Sequence, residues 1–485
     1  MRIARVWLVG VLLCLGSLPG VAEEKPAETP ANELEALRAQ LAAQQQQIQQ
    51  LQEMLRQQLT ILAELQRRLG PGTATPRPPN TSGSADATQG AALEGGAPLE
   101  ERVEKLEQVV GSEKKENLDR WKRLGPFRFS GDIRVRYEPF FQAGTEQRHR
   151  ERMRLRFQAN AELTKELSGG FRIATGGLDD PISTNQSFTN FFTRKSFDLD
   201  RAWLTYKPER LGWLTLTGGK FAYPWYRTEL TFDDDLNPEG FAETFSFKFE
   251  DKPLRRFTVV AFQLPFNELS NGKDSFLWGG QVQTEWRLSE RARLGLYAAG
   301  MDLQRADPIA VAIGLLGIRP SLPLTNRVVR NPNGVITGFA EKFAYFDLIA
   351  ELNYNWRPRW PLRLTLDFVN NLRASQERSG YWAEIGVGKT SEAGDWAFGY
   401  TFLRVEREAV IGAYNYSDTR ASTNLLQHRL RAAYQIHRNV TLENTFFFGR
   451  LFNPQDNLSL VPPAFQPLNQ DPYLKRLQFD VIYKF

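Results

Sequence analysis

Residues 127–138 read FRFSGDIRVRYE, and residues 152–163 read RMRLRFQANAEL. In the first, Phe127, Phe129, Ile133, Val135 and Tyr137 alternate with Arg128, Ser130, Asp132, Arg134, Arg136 and Glu138. In the second, Met153, Leu155, Phe157, Ala159, Ala161 and Leu163 alternate with Arg152, Arg154, Arg156, Gln158, Asn160 and Glu162. Successive side chains of a strand point to opposite faces, so each stretch predicts a strand with one apolar and one charged face. Similar segments recur near 169–177, 197–207, 212–221, 240–250, 254–264, 276–288, 291–302, 343–356, 361–370, 380–390, 394–407, 423–436, 439–450 and 473–485. The last of them closes on RLQFDVIYKF (476–485), where Leu477, Phe479, Val481, Tyr483 and Phe485 share a face and only Ile482 breaks the alternation.

The connections alternate in length. TKELSGG, KPERLG, EDKPLR, LSER, RPRWP, SEAGD and HR are short, and those between them are longer, up to 303–342. An even number of strands of about ten residues, with short turns at one end and long loops at the other, is the pattern of a transmembrane β-barrel. After residue 22 the longest apolar run is IAVAIGLLGI (309–318), too short for a spanning helix of about 20 residues. In lipid a closed barrel is the alternative that satisfies every backbone group. A soluble sandwich also predicts alternation, but not Trp203, Trp213, Trp278, Trp286, Trp356 and Trp396 near strand ends, which suit interfacial girdles. The expected fold class is all-β, an antiparallel barrel of about 16 strands over 125–485. RVVRNPNGVITG (327–338), a hairpin signal with Asn-Gly at its turn, leaves open a loop hairpin, a plug, or two further strands making 18.

The region before the barrel is different. Arg2, Arg5, the apolar run Val6–Leu18 and the small residues to Ala22 predict a signal peptide over 1–22. Its removal takes away Cys14, the single cysteine, and with it any disulfide. Over 23–69, Leu34, Leu41, Ile48, Leu55, Leu62 and Leu69 recur every seventh residue, with Leu37, Gln44, Leu51, Gln58 and Leu65 in the second seam position. This predicts a coiled-coil helix, and therefore self-association. Residues 70–98 are Gly-, Pro- and Ser-rich and predict a flexible linker. A short helical segment over 99–124 places Leu99, Val103, Leu106 and Val110 in heptad positions.

The stretches FSGDIRVRYE (129–138), DRAWLTYKPE (200–209), GGKFAYPWYRTEL (218–230) and DDDLNPEGFAE (233–243) resemble the putative porin family of Gram-negative outer membranes. The resemblance covers most of 120–485. It implies a passive outer-membrane channel for small hydrophilic solutes or ions, in contact with outer-membrane lipid and lipopolysaccharide. The terminal strand, with Phe479, Val481, Tyr483 and Phe485, resembles the signal read by the barrel-assembly machinery. The helical extension resembles that of some phosphate- and polyphosphate-selective porins and implies a coiled coil in the periplasm. By analogy with general porins, a homotrimer is favoured.

A barrel of this size holds an aqueous channel, whose selectivity follows from lumenal charge. Arg128, Arg134, Arg136, Arg152, Arg154 and Arg156 are expected to form one basic wall, with Arg134 near Arg156 and Arg136 near Arg154 or Arg152. Asp132, Glu138 and Glu162 only partly offset it. The third outer loop, AYPWYRTELTFDDDLNPEG (222–240), carries Glu229, Asp233, Asp234, Asp235 and Glu239. By the general-porin analogy it narrows the channel opposite that wall. A calcium loop over Asp233–Glu239 is disfavoured, because Gly240 is misplaced for one. No metal or cofactor is expected.

The formal net charge is +5, or +3 without Arg2 and Arg5, too balanced to point to nucleic acid. His149, His428 and His437 are the only histidines, and none has an evident serine or aspartate partner, so an enzyme is not expected. The competing function is a structural tether, with the coiled coil gripping the cell wall or a partner and the channel plugged or incidental.

Overall fold

The computed structural model describes residues 127–485 except 189–190, 270–271 and 317–321. The expected signal peptide, coiled-coil seam, linker and short helical segment lie outside the described residues. Sixteen long strands form the barrel: β1 (Phe127–Phe141), β2 (Arg148–Glu162), β3 (Leu167–Thr175), β4 (Phe197–Tyr206), β5 (Leu214–Lys220), β6 (Glu239–Lys248), β7 (Leu254–Asn267) and β8 (Ser275–Arg287). The second half comprises β9 (Ala292–Gln304), β10 (Phe343–Tyr354), β11 (Leu362–Asn371), β12 (Ser379–Gly388), β13 (Trp396–Val405), β14 (Leu425–His437), β15 (Val440–Leu451) and β16 (Leu474–Lys484). Each pairs antiparallel with its neighbours in sequence. β1 also pairs with β16, from Asp132 opposite Lys484 to Phe141 opposite Lys475, so the sheet closes on itself. Closure matters physically, because an open edge in hydrocarbon leaves backbone groups unpaired at several kcal/mol each.

The distribution of side chains decides between a soluble sheet and a membrane barrel. On β1, Ile133 (42%) and Val135 (49%) are exposed, while Asp132 (7%), Arg136 (4%) and Glu138 (0%) are buried. On β16, Phe479, Val481 and Tyr483 are likewise exposed, and Arg476, Gln478 and Asp480 buried. Apolar outside and charged inside reverses a soluble sheet and is what lipid around a wet interior requires. Trp213, Trp278, Trp356 and Trp396 lie on the exposed face. Trp203 does not fit the girdle expected of it: it packs against the buried interior cluster. A register irregularity where β3 meets β4, between Arg172 and Ile173, shifts the alternation there.

The hairpin signal in 327–338 resolves as a separate two-stranded sheet, Val328–Arg330 against Ile336–Phe339, and adds nothing to the barrel. At the long-loop end, three loops pack together inside the wall. Phe221, Trp225, Leu230 and Phe232 come from loop 221–238. Ile309 and Ala310 come from the connection between β9 and β10, and Val410 and Ile411 from loop 406–424. They meet Phe262, Leu277, Leu303, Tyr345 and Trp382 of the strands. Fully burying one such side chain contributes about 1.5–3 kcal/mol, which holds these loops inside despite their polar composition.

Candidate functional site

Loop 221–238 crosses the barrel interior. The Tyr226 backbone is clamped by Gln281 of β8, which accepts from its N–H at 2.8 Å and donates to its carbonyl at 2.7 Å. The Tyr226 hydroxyl donates to Glu351 of β10, and the Thr228 hydroxyl to Asp367 of β11. Arg429 of β14 donates to Glu229 at 2.6 Å. The Asp233 N–H donates to the Tyr414 carbonyl, and Asp233 accepts from the Ser417 N–H at 2.7 Å. The loop thus reaches wall strands on several sides and a second loop as well.

The acidic residues of this loop have specific partners. Asp234 pairs with Arg227 at 2.6 Å. Asp235 accepts from the backbone and hydroxyl of Thr184 and lies 3.5 Å from Arg156. Asn237 is held between Arg201 and Asp200, so the alternation Asp233, Asp235, Asn237 serves three separate contacts. Glu239 does not join them. It opens β6 and pairs with Lys220 across the sheet at 2.5 Å, largely exposed.

The six wall arginines divide similarly. Arg134 stands opposite Arg154 and Arg136 opposite Arg152, while Arg156 faces Asp132. The expected Arg134–Arg156 pairing is therefore two residues out: the β1–β2 hairpin centres on Gly144, at φ +76°. Asp132 bridges Arg154 and Arg156, 2.6 Å from each. Arg136 grips Asp480 through two bonds, at 2.7 and 2.8 Å, and reaches Asp418 at 3.0 Å. Glu138 takes Arg150 and Arg476 at 2.5 Å and Arg152 at 3.7 Å. Arg128 stands apart at the short-turn end, mostly exposed, with Glu162 3.5 Å away. Six residues of extended chain, about 20 Å, separate it from Arg134.

Sequence reasoning missed Asp418, Asp480 and Arg476, and also Asn185, whose amide oxygen accepts from Arg134 at 2.6 Å. The alternation in β16 would have flagged Arg476 and Asp480. Nothing local flags the loop residues Asp418 and Asn185.

Between wall and loops lies a cavity of about 440 Å³. Arginines 134, 136, 154, 227, 363, 429 and 431 line it, as do Glu229, Asp233, Asp234, Asp235, Glu384, Asp418 and Glu443, with Tyr226, Trp382, Tyr416 and Phe447 among them. Formal charge is balanced, seven against seven. Protonation tips it. Burial pushes the Glu229 carboxyl up to about 7, against the opposing pull of Arg429, a guanidinium that Glu229 shares with Glu384. Burial, reinforced by the charge of Asp235, also raises Asp233. Burial disfavours ionised Asp235 too, but Arg154 and Arg156 outweigh it and hold that carboxyl below its usual range. Asp418 is likewise buried, yet Arg476 and Arg136 hold it well below the ordinary value.

His149 and His428 stack on the outer aromatic belt, each hydrogen-bonded to a tyrosine hydroxyl, Tyr137 at 2.7 Å and Tyr400 at 2.8 Å. Among the described residues no group of three His, Cys, Asp or Glu side chains is placed to hold a metal ion.

A family profile described as "Putative porin" matches residues 114–308, reaching through β9. The strand pairing establishes a closed barrel of sixteen strands, and the profile's match spans its first nine. Among solved structures the chain is similar to OmpF of Salmonella typhi in complex with daunomycin, at 9% identity and TM-score 0.45, over 74% of this chain and 97% of that one. It is similar to OprB of Pseudomonas putida at high pH, at 11% identity and TM-score 0.46, over 78% and 97%. An anion-selective porin from Comamonas acidovorans gives 9% identity and TM-score 0.43, over 74% and 99%. No curated protein matches the sequence.

Proposed function

We propose that this chain is a passive diffusion channel of a Gram-negative outer membrane, passing small hydrophilic solutes and ions with a preference for anions. The observation that carries this is the arrangement of a closed barrel, apolar outside and charged inside, with loop 221–238 laid across its interior. In this reading the long loops face outward, the short turns face the periplasm, and loop 221–238 narrows the passage. The anion preference is supported by the wall of β1, β2 and β16. Seven arginines stand there, Arg134, Arg136, Arg150, Arg152, Arg154, Arg156 and Arg476, against five carboxylates, Asp132, Glu138, Asp480, Asp418 and Asp235, none of which pairs with Arg134. Glu229, raised to about 7, gives up part of its negative charge near neutral pH, and burial shifts Asp233 in the same direction. The heptads at 34–69 support self-association in the periplasm, as a trimer by analogy.

The test is reconstitution in a planar bilayer and measurement of the reversal potential across a potassium chloride gradient. A stable channel with a chloride-favouring potential is expected. A cation-favouring potential overturns the anion preference, and absence of conductance overturns the channel itself.

A further inference from the structure

Six of the seven arginines lining the cavity are neutralised in place. Arg136 pairs with Asp480 at 2.7 Å, Arg154 with Asp132 at 2.6 Å, Arg227 with Asp234 at 2.6 Å, Arg363 with Glu384 at 2.9 Å, Arg429 with Glu229 at 2.6 Å and Arg431 with Glu443 at 2.5 Å. Arg134 is the exception. Its Nη2 donates to the neutral Asn185 amide oxygen, and its Nε is covered and meets no acceptor. Among the described residues no carboxylate lies within ion-pair distance of it. Asp480 and Asp418, which act on it at longer range, are held by Arg136 and Arg476. Arg154 stands directly opposite and Arg136 two residues along, and both guanidinium groups already have carboxylate partners, which leaves Arg134 as the cavity arginine with N–H groups not committed to one. A guanidinium presents its N–H groups as a planar fork that fits two oxygens of a carboxylate or phosphate. A halide meets the charge but not the fork.

We propose that Arg134 is the centre of a saturable site for a small oxyanion, a solute carrying a carboxylate or phosphate group, seated in the 440 Å³ cavity. This deepens the channel reading above: the passage binds a class of solute and does not merely admit it.

The test is isothermal titration of the full chain in detergent micelles with succinate and, separately, with inorganic phosphate, beside single-channel recordings in potassium chloride. Saturable binding of at least one probe is expected, and its identity tells a carboxylate site from a phosphate site. Arg134→Gln is expected to weaken binding at least tenfold. Asn185→Asp, which sets a carboxylate against the same guanidinium, is expected to do likewise without removing the arginine. Heat-modifiable gel mobility verifies that each variant has folded. Equal isotherms for wild type and both folded variants, or no saturable binding of either probe, overturn the site. A conducting channel without such binding refutes the site and leaves the channel standing. Arg134-dependent binding in a protein that does not conduct refutes the channel and leaves the site standing.

Discussion

Gly131 and Phe485 lock to each other across the seam of the barrel. The Gly131 N–H donates to the Phe485 carbonyl at 2.9 Å, and the Phe485 N–H donates to the Gly131 carbonyl at 3.1 Å. The Phe485 ring lies over the glycine: a Cβ at position 131 would sit 2.5 Å from that ring and 2.3 Å from the Arg156 carbonyl. The backbone contact cannot yield, so Gly131→Val must displace β1 or β2. We expect deletion of Phe485 and Gly131→Val each to lower the yield of heat-modifiable barrel in membranes several-fold. Phe485→Leu, which keeps both backbone bonds, should retain most of it. A deletion variant with wild-type yield would show that pairing upstream, such as Tyr483 with Ile133, closes the seam without this last pair.

The clamp of Gln281 on Tyr226 predicts what positions loop 221–238. Gln281 is 1% exposed and satisfies both backbone groups of Tyr226. Removing it leaves a buried N–H and a buried carbonyl without partners, at about 1–3 kcal/mol each. Gln281→Ala should free the middle of the loop, raising unit conductance and current noise in bilayer recordings. Gln281→Glu keeps the acceptor but loses the donor and should give an intermediate effect. Unchanged conductance in Gln281→Ala would mean that Arg429 and Ser417 hold the loop without Gln281.

How much of this was legible in the sequence follows from the range of each interaction. All sixteen strands were visible, because alternation is a local property enforced by lipid on one face and water on the other. The inward turn of Trp203 was not, since it depends on a register irregularity that the β3–β4 pairing creates. The basic wall could be listed residue by residue, but not the full set of carboxylates that meet it. Asp132 and Glu138 are neighbours in sequence, whereas Asp418 and Asp480 reach Arg136 from 282 and 344 residues away. Arg134 looked like one arginine among six. Its lack of a carboxylate became visible only when the partners of the others were placed.

Glu229 predicts a pH dependence of selectivity. Its folded pKa, near 7, lies above the ordinary carboxyl value, so it takes up a proton as pH falls through neutrality. Arg429, Asp234 and Arg227 act on it, and Glu384 competes for Arg429. Protonation removes one negative charge from the cavity. Anion preference should therefore strengthen from pH 8 to pH 6 and weaken in the opposite direction. Glu229→Gln fixes the protonated charge state, so its reversal potential should stay at the wild-type low-pH value across that range. A wild-type potential that is flat between pH 6 and 8 would remove Glu229 from control of the current.

Asp132 predicts the converse, because it neutralises two arginines that stand two residues apart on the same face of β2. It accepts from Arg154 and Arg156 at 2.6 Å each and is 7% exposed. Removing one partner of a buried ion pair costs about 3–5 kcal/mol. Here Arg156 is 24% exposed and borders a wet interior, so water recovers part of that, and roughly 1–3 kcal/mol is the expected loss. Asp132→Asn should lower the unfolding midpoint in denaturant and also strengthen anion preference by removing one negative charge, leaving Arg154 and Arg156 with Asp235 alone. The double variant Asp132→Asn with Arg154→Gln restores the local charge balance and should recover much of the stability and return the reversal potential towards the wild-type value. If Asp132→Asn lowers stability while the reversal potential stays fixed, the ion triad braces the β1–β2 wall without facing the path of the ions.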